Sequence, residues 1–351
     1  MNLNVALPFL SSLFSFVFAA MVGDQWLRRR QPYQLVWTIG LLWYGISAGT
    51  EFIGGAWGWN EPLYRVWYLV GAFGVASYLG LGTIFLLRAT RFGYFVSVLF
   101  VLGALASLGA SVKYADAGAP AASGIVAAVV AGSLAAGVAT AIATRIDRRA
   151  AAYLTAGILV VASILVARLA LTVPIAAPGY FVDAIGIPTG QALPSDLRIL
   201  TPPFNIVGAL ALVFGAVYSA YIFMPKRRVL RLDGGPPVIG AIGRGVAVFV
   251  NFFASIPGAI RAFRAGTLNS RVPATLLIAL GGFVPGWTSG LNRFGITWSF
   301  FVGELLGVLL IFAGFLVSLE VFSDIRLPFT RIVLVRRSGA PDLVDTAAPP
   351  A

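Results

Sequence analysis

Residues 5–30, VALPFLSSLFSFVFAAMVGDQWLRRR, decide the fold. An uncharged apolar run over 5–22 ends within a few residues on three consecutive arginines, Arg28, Arg29 and Arg30. The same succession recurs along the chain. Basic groups at Arg88 and Arg91, at Arg145, Arg148 and Arg149, and at Lys226, Arg227, Arg228 and Arg231 follow the third, fifth and seventh apolar stretches. Further cations lie at Arg244, Arg261, Arg264 and Arg271, and at Arg326, Arg331, Arg336 and Arg337. Basic residues that gather after every second apolar stretch are the positive-inside pattern of a polytopic membrane protein.

A helix needs roughly 20 apolar residues to cross the hydrocarbon core. Candidate spans are 5–22, 33–53, 62–87, 93–112, 121–144, 151–173, 202–224, 273–287 and 295–321. Helices are expected because each backbone polar group in lipid must be satisfied inside its own segment. The predicted fold is all-α: seven core spans with the N-terminus outside, then a C-terminal membrane hairpin, nine spans in all, with the C-terminus cytoplasmic. The expected divisions are a bundle over 1–232, a cytoplasmic interfacial helix and basic linker over 233–272, the hairpin over 273–322 and a basic tail over 323–351, disordered at its end. The first span lacks a basic region before it and reads as retained, not as a cleaved signal.

Composition agrees with this class. The chain is 59% hydrophobic and 11% charged, with a mean hydropathy of +0.90. The net charge of +12 flanks apolar spans, which points to the bilayer and to anionic lipids at the cytoplasmic face, not to nucleic acid. There is no cysteine and no histidine, which removes disulfides, thiolate or imidazole metal sites and histidine acid–base chemistry. No aspartate falls inside an expected span, and no HExxH or P-loop motif is present. The sequence therefore implies no metal, cofactor or catalytic residue, and no enzyme.

Two segments admit alternatives. Residues 238–256 are apolar enough to cross, but Arg244, Asn251 and Ser255 make a polar stripe along them. An interfacial helix on the cytoplasmic face is the expectation. Residues 273–287, interrupted by Gly281, Gly282 and Pro285, either cross at minimal length or re-enter as a broken hairpin, and crossing is the expectation.

Ionisable groups inside a membrane are costly, so each is a functional candidate. Glu51, Arg65, Arg168, Arg293 and Glu304 fall within or at the mouths of expected spans at similar depth. They suggest a polar network around an outward-facing cavity, or ion pairs such as Glu51–Arg65 and Glu304–Arg168 that staple helices. Trp57, Trp59, Tyr64 and Trp67 form an aromatic cluster that a headgroup-level belt would explain. Gly71, Gly74, Gly80 and Gly82, and separately Gly103, Ser107 and Ser111, mark closely packed helices.

The run Trp37-x5-Trp43, Glu51, Gly54-Gly55, Trp57-Gly58-Trp59, Tyr64-Arg65-x-Trp67-Tyr68-Leu69-x-Gly71 and Tyr78-Leu79-Gly80-Leu81-Gly82-Thr83 resembles uncharacterised multi-pass membrane proteins of actinobacteria and related high-GC bacteria. The resemblance covers the second and third spans, implies that Glu51 and Tyr64-Arg65 act as a unit, and transfers no activity. The expected function is a transporter or channel-like protein of the bacterial inner membrane. The alternative is a structural or accessory subunit with protein partners or a second copy of itself, and a membrane sensor stands third.

Overall fold

The computed structural model describes residues 3–175, 190–231, 237–292, 299–318, 324–330 and 332–336. It is helical almost throughout these residues, and this is a multi-pass integral membrane protein. Nine of the described helices are long and apolar enough to cross a bilayer.

Helix α1 (Leu3–Arg29) and α2 (Pro32–Trp57) make a hairpin across Arg30 and Gln31. Arg30 takes a left-handed φ of 54° and closes α1 through Arg30 N–H to Trp26 O at 2.8 Å, while Pro32 opens α2 where its missing N–H costs nothing. Asn60 caps the next helix by accepting the Leu63 N–H at 3.0 Å. That helix is continuous from Glu61 to Leu86 and consists of α3 (Glu61–Trp67), a π-helical stretch over Tyr68–Gly74, and α4 (Val75–Leu86). Then follow α5 (Phe92–Asp116), α6 (Ser123–Ile146), α7 (Ala150–Thr172), the single turn α8 (Ser195–Arg198) and α9 (Pro202–Phe223). The C-terminal part holds α10 (Pro237–Arg264), α11 (Arg271–Asn292) and α12 (Ser299–Val317), with strands β1 (Asp324–Arg326) and β2 (Val333–Arg336) paired antiparallel.

The chain divides into two compact units, Met1–Ala216 with Ile278–Phe312, and Val217–Leu277 with Ala313–Ala351. The hairpin expected to stand as its own domain thus contributes Ile278–Phe312 to the larger unit, and the expected boundaries at 232 and 272 differ from these. The first part of the tail carries the β1–β2 pair, and its end, expected to be disordered, lies outside the described residues. Helix α11 runs unbroken through Gly281, Gly282 and Pro285, which excludes the broken hairpin for these residues.

The spans qualifying on length and composition include Gly245–Arg264 and omit α2. Tryptophan, tyrosine, serine and glycine dilute the hydropathy of α2, yet its 26 residues reach about 39 Å at 1.5 Å each. Gln34, Ser47, Thr50 and Glu51 are all buried within the protein, so α2 need not be apolar towards lipid.

Helix contacts in the larger unit depend on glycine. A Cβ at Gly80 would strike the backbone of Gly208, and one at Gly208 would strike Ala76 and Ser77, so α4 and α9 meet backbone to backbone. Gly281 and Gly307 do the same for α11 and α12. Gly82 receives Trp37 and Gly103 receives Pro203. Without a hydrophobic drive between helices in lipid, such close approach is the main source of packing energy.

Between the expected spans 151–173 and 202–224 the connecting chain folds inward at its end, where Ala192, Leu193, Leu197 and Ile199 are buried. Asp196 accepts the Ala122 N–H at 2.7 Å, and the Arg198 guanidinium lies 4.2 Å from the centre of the Tyr114 ring.

Gly80→Val and Gly208→Val are each expected to lower stability by about 1–3 kcal/mol or more through overpacking. Gly109→Ala, with nothing within 4 Å of the added carbon, should leave stability unchanged or slightly raised. Thermal unfolding in mild detergent reads all three, and equal effects would refute the backbone contact.

Candidate functional site

Glu51 sits on the buried stripe of α2, and Glu304, itself half-buried, sits on the buried side of α12. On α2 the stripe runs Trp37, Gly40, Tyr44, Ser47, Glu51, and on α12 it runs Phe301, Glu304, Val308, Ile311, Phe315. Each series steps by three or four residues, the spacing of one helical face. The stripes meet, because the Tyr44 hydroxyl donates to Glu304 O at 2.7 Å, and the Glu51 and Glu304 side chains lie close to each other.

Glu51 is only 4% exposed. One of its oxygens, Oε1, accepts the indole N–H of Trp67 at 2.9 Å. Its Oε2, and Oε2 of Glu304, are buried and receive no N–H or O–H donor. A hydrogen bond between two carboxyl groups needs a proton on one of them, since two carboxylates so close in an apolar interior repel strongly. The site is thus a close pair of acids with one indole donor and, among the described residues, no cation.

Two of the cations expected there, Arg65 and Arg168, lie elsewhere. Arg65, 8% exposed, pairs with Glu61 one turn earlier at 2.7 Å and donates to the carbonyls of Ala170 and Val173. It closes the C-terminal end of α7, where carbonyls lack helical partners and the helix dipole is negative. This corrects the expected Glu51–Arg65 staple. Arg168 lies on the exposed side of α7 and forms no ion pair with Glu304, so the expected Glu304–Arg168 pair is absent among the described residues. Arg293 and Glu320 lie outside the described residues.

The aromatic cluster separates likewise. Trp57 is 74% exposed, as a belt residue should be, but Tyr64 is fully buried. Trp67 turns its N–H to Glu51, and Trp59 covers Gly54, where a Cβ would collide with the indole. A headgroup belt therefore accounts for Trp57 and not for Tyr64 or Trp67.

The site's supports were missed by sequence reasoning. Tyr44 and Glu51 are seven residues apart on one face, a spacing that marks them as neighbours, but nothing in the sequence pairs that face with α12. The π-helical stretch directly after Trp67 is held by Asn205, whose side-chain N–H donates to Ala72 O at 2.7 Å. Ser47 also packs onto Gly71. Single π turns occur often beside functional sites. No family model, curated protein or solved structure matches the chain.

Arg65→Ala should cost about 3–5 kcal/mol, because it strands buried carbonyls and frees one end of α7. Glu61→Gln removes a half-exposed partner and should cost less than about 1 kcal/mol. Unfolding in detergent distinguishes the two, and equal losses would show that the ion pair, not the helix cap, holds this corner.

Proposed function

We propose that this protein is a proton-handling transporter of the bacterial cytoplasmic membrane, with Glu51 and Glu304 as the proton-binding pair. The observation carrying the reading is that two acids from distant parts of the chain meet inside the bundle with, among the described residues, no arginine or lysine between them. A structural staple gains its energy by opposing charge, or is replaced by apolar packing at no loss. An acid pair gains from neither, and intramembrane carboxyls of this kind are the usual carriers of protons in pumps and coupled transporters. Trp67 and Tyr44 supply the positioning: the indole orients Glu51, and the Tyr44 hydroxyl fixes the α12 backbone at Glu304.

One proton shared between the carboxyls leaves a single negative charge, and a second proton makes the pair neutral. Movement of α12 relative to α2 would separate the acids and change their demand for protons, which is the coupling a transporter requires. The basic clusters orient the chain with the loops after Arg28, Arg88, Arg145 and Lys226 in the cytoplasm and Asn60 outside.

Proteoliposomes carrying the protein, energised by a potassium diffusion potential and read with an internal pH dye, should show proton flux. Glu51→Gln and Glu304→Gln should fold as the parent and lose the flux by roughly 100-fold, the scale of a removed proton-transfer group. Unaltered flux in both would sink the assignment, as would a parent protein that moves no protons while both variants are merely more stable. The chain has no cysteine of its own, so single cysteines report orientation without background. Arg29→Cys should react with an impermeant maleimide only in inverted vesicles, and Asn60→Cys only in intact cells.

A further inference from the structure

Helix α10 belongs to the smaller unit and presents two opposite faces. Val246, Phe249, Val250, Phe253 and Ile260 project outwards and are exposed, and their spacing puts them on one side. Ala247, Asn251, Phe252, Ser255 and Ala259 occupy the other side and are buried. There Phe252 and Ala259 pack with Ala220 and Met224 from the end of α9 and with Val272 at the start of α11.

Asn251 and Ser255 of the polar stripe face inwards and hold a strap of extended chain. After Pro225 the backbone runs alongside α10 in the opposite direction. Arg227 N–H donates to Ser255 Oγ at 2.9 Å. Val229 and Leu230 N–H both donate to Asn251 Oδ1, at 2.8 and 2.9 Å, and Asn251 Nδ2 donates to Leu230 O at 2.8 Å. A single asparagine amide thus satisfies three backbone groups of the strap, as a neighbouring strand would.

The strap determines how α10 lies. It carries Lys226, Arg227, Arg228 and Arg231, all exposed, and it is fastened between Asn251 and Ser255, the middle of the apolar stretch Gly245–Arg264. If α10 crossed the bilayer, those four cations would lie near the hydrocarbon centre, where each is strongly unfavourable. The strap also begins two residues after α9 ends, at the level where a spanning helix leaves the membrane. With the middle of α10 fixed at that level, the exposed aromatic face can enter lipid only from the side. Between Val217 and Leu277 the sequence holds eight Lys or Arg residues against one acid, Asp233.

We infer that α10 and its strap form a docking surface for an anionic phospholipid leaflet. The helix lies in the plane of the membrane with Phe249, Phe253 and Phe263 in the acyl boundary, and Lys226, Arg228, Arg261 and Arg264 lie at the phosphates. Apolar insertion and headgroup attraction act together in such helices, and the lipid charge sets how firmly they hold.

Full-length protein carrying a single bimane-labelled cysteine at Val246, Phe253 or Phe263 is placed in nanodiscs of phosphatidylglycerol, or of phosphatidylcholine alone, and quenched by lipids brominated at known depths. In phosphatidylglycerol the three labels should lie at one shallow depth. In phosphatidylcholine, or after Lys226, Arg228, Arg261 and Arg264 are all changed to Gln, lipid quenching should fall at least twofold. Residues 246 and 263 are about 26 Å apart along the helix, so a crossing helix would place Phe253 deep and the other two near opposite surfaces, which overturns the inference. Labels quenched only from water, as on a face kept for a protein partner, overturn it too. Equal depth and equal quenching in both lipids would refute the requirement for negative charge.

Discussion

The hydrogen bonds that run inward from and to α2 are the constraint on which the larger unit depends. Lipid offers no partner for a polar group, so a helix as polar as α2 is stable in a membrane only when other helices surround its polar face. Trp37 donates to Leu79 O at 3.1 Å, Tyr44 to Glu304 O, and Ser12 to Gly45 O at 2.8 Å, while Trp67 reaches Glu51. These four bonds tie α2 to α4, α12, α1 and α3. The glycines follow from them, since the bonds close only where backbones approach and side chains are missing. Gly40 beneath Leu79 and Gly71 beneath Ser47 are such places.

The same economy explains why the arginine and the acids are apart. A guanidinium carries five donors in a fixed fork and no acceptor, so its best buried partner is a group of acceptors that nothing else can satisfy. The last carbonyls of α7 are such a group, and Arg65 reaches Ala170 and Val173 while keeping Glu61 as a counter-charge. Glu51 and Glu304 have acceptors in excess, and among the described residues a single indole N–H, that of Trp67, reaches them. Placing Arg65 beside Glu51 would have satisfied the acid and stranded the end of α7.

How much was legible in the sequence differs between fold and site. The spans, their short connections and the presence of glycine at crossing points follow from composition and spacing, because lipid imposes one length and one secondary structure. Orientation of a face follows less well. On α7 the lipid-facing and bundle-facing sides are similarly apolar, so periodicity does not distinguish Arg168, which faces outwards, from Val166 and Ala170, which are buried. Glu51 and Glu304 were identifiable as costly residues, but a stripe states only that a face is covered, not by which helix. Their partnership depends on α12 returning to α2 across some 250 residues of chain, and no local spacing encodes that. Trp67 illustrates the same gap: belts of tryptophan are common enough to explain it, until the indole N–H is found to point at a carboxylate.

The stripe of Asn251 and Ser255 shows what a polar face on an apolar helix means when its partner is backbone. Water is the obvious partner for such a stripe on an interfacial helix. Yet Pro225 cannot continue α9 as a helix, so the residues after it leave with their N–H and C=O groups unpaired at the edge of the membrane. An asparagine amide has the donor and acceptor of a peptide group and can complete them, whereas water at that depth is scarce. Turning the stripe inwards sends the phenylalanines outwards, which would be a liability for a helix in solvent. For a helix lying against lipid it is the arrangement of lower energy, and the cations of the strap are then carried to the phosphates by the same bonds that cover the stripe.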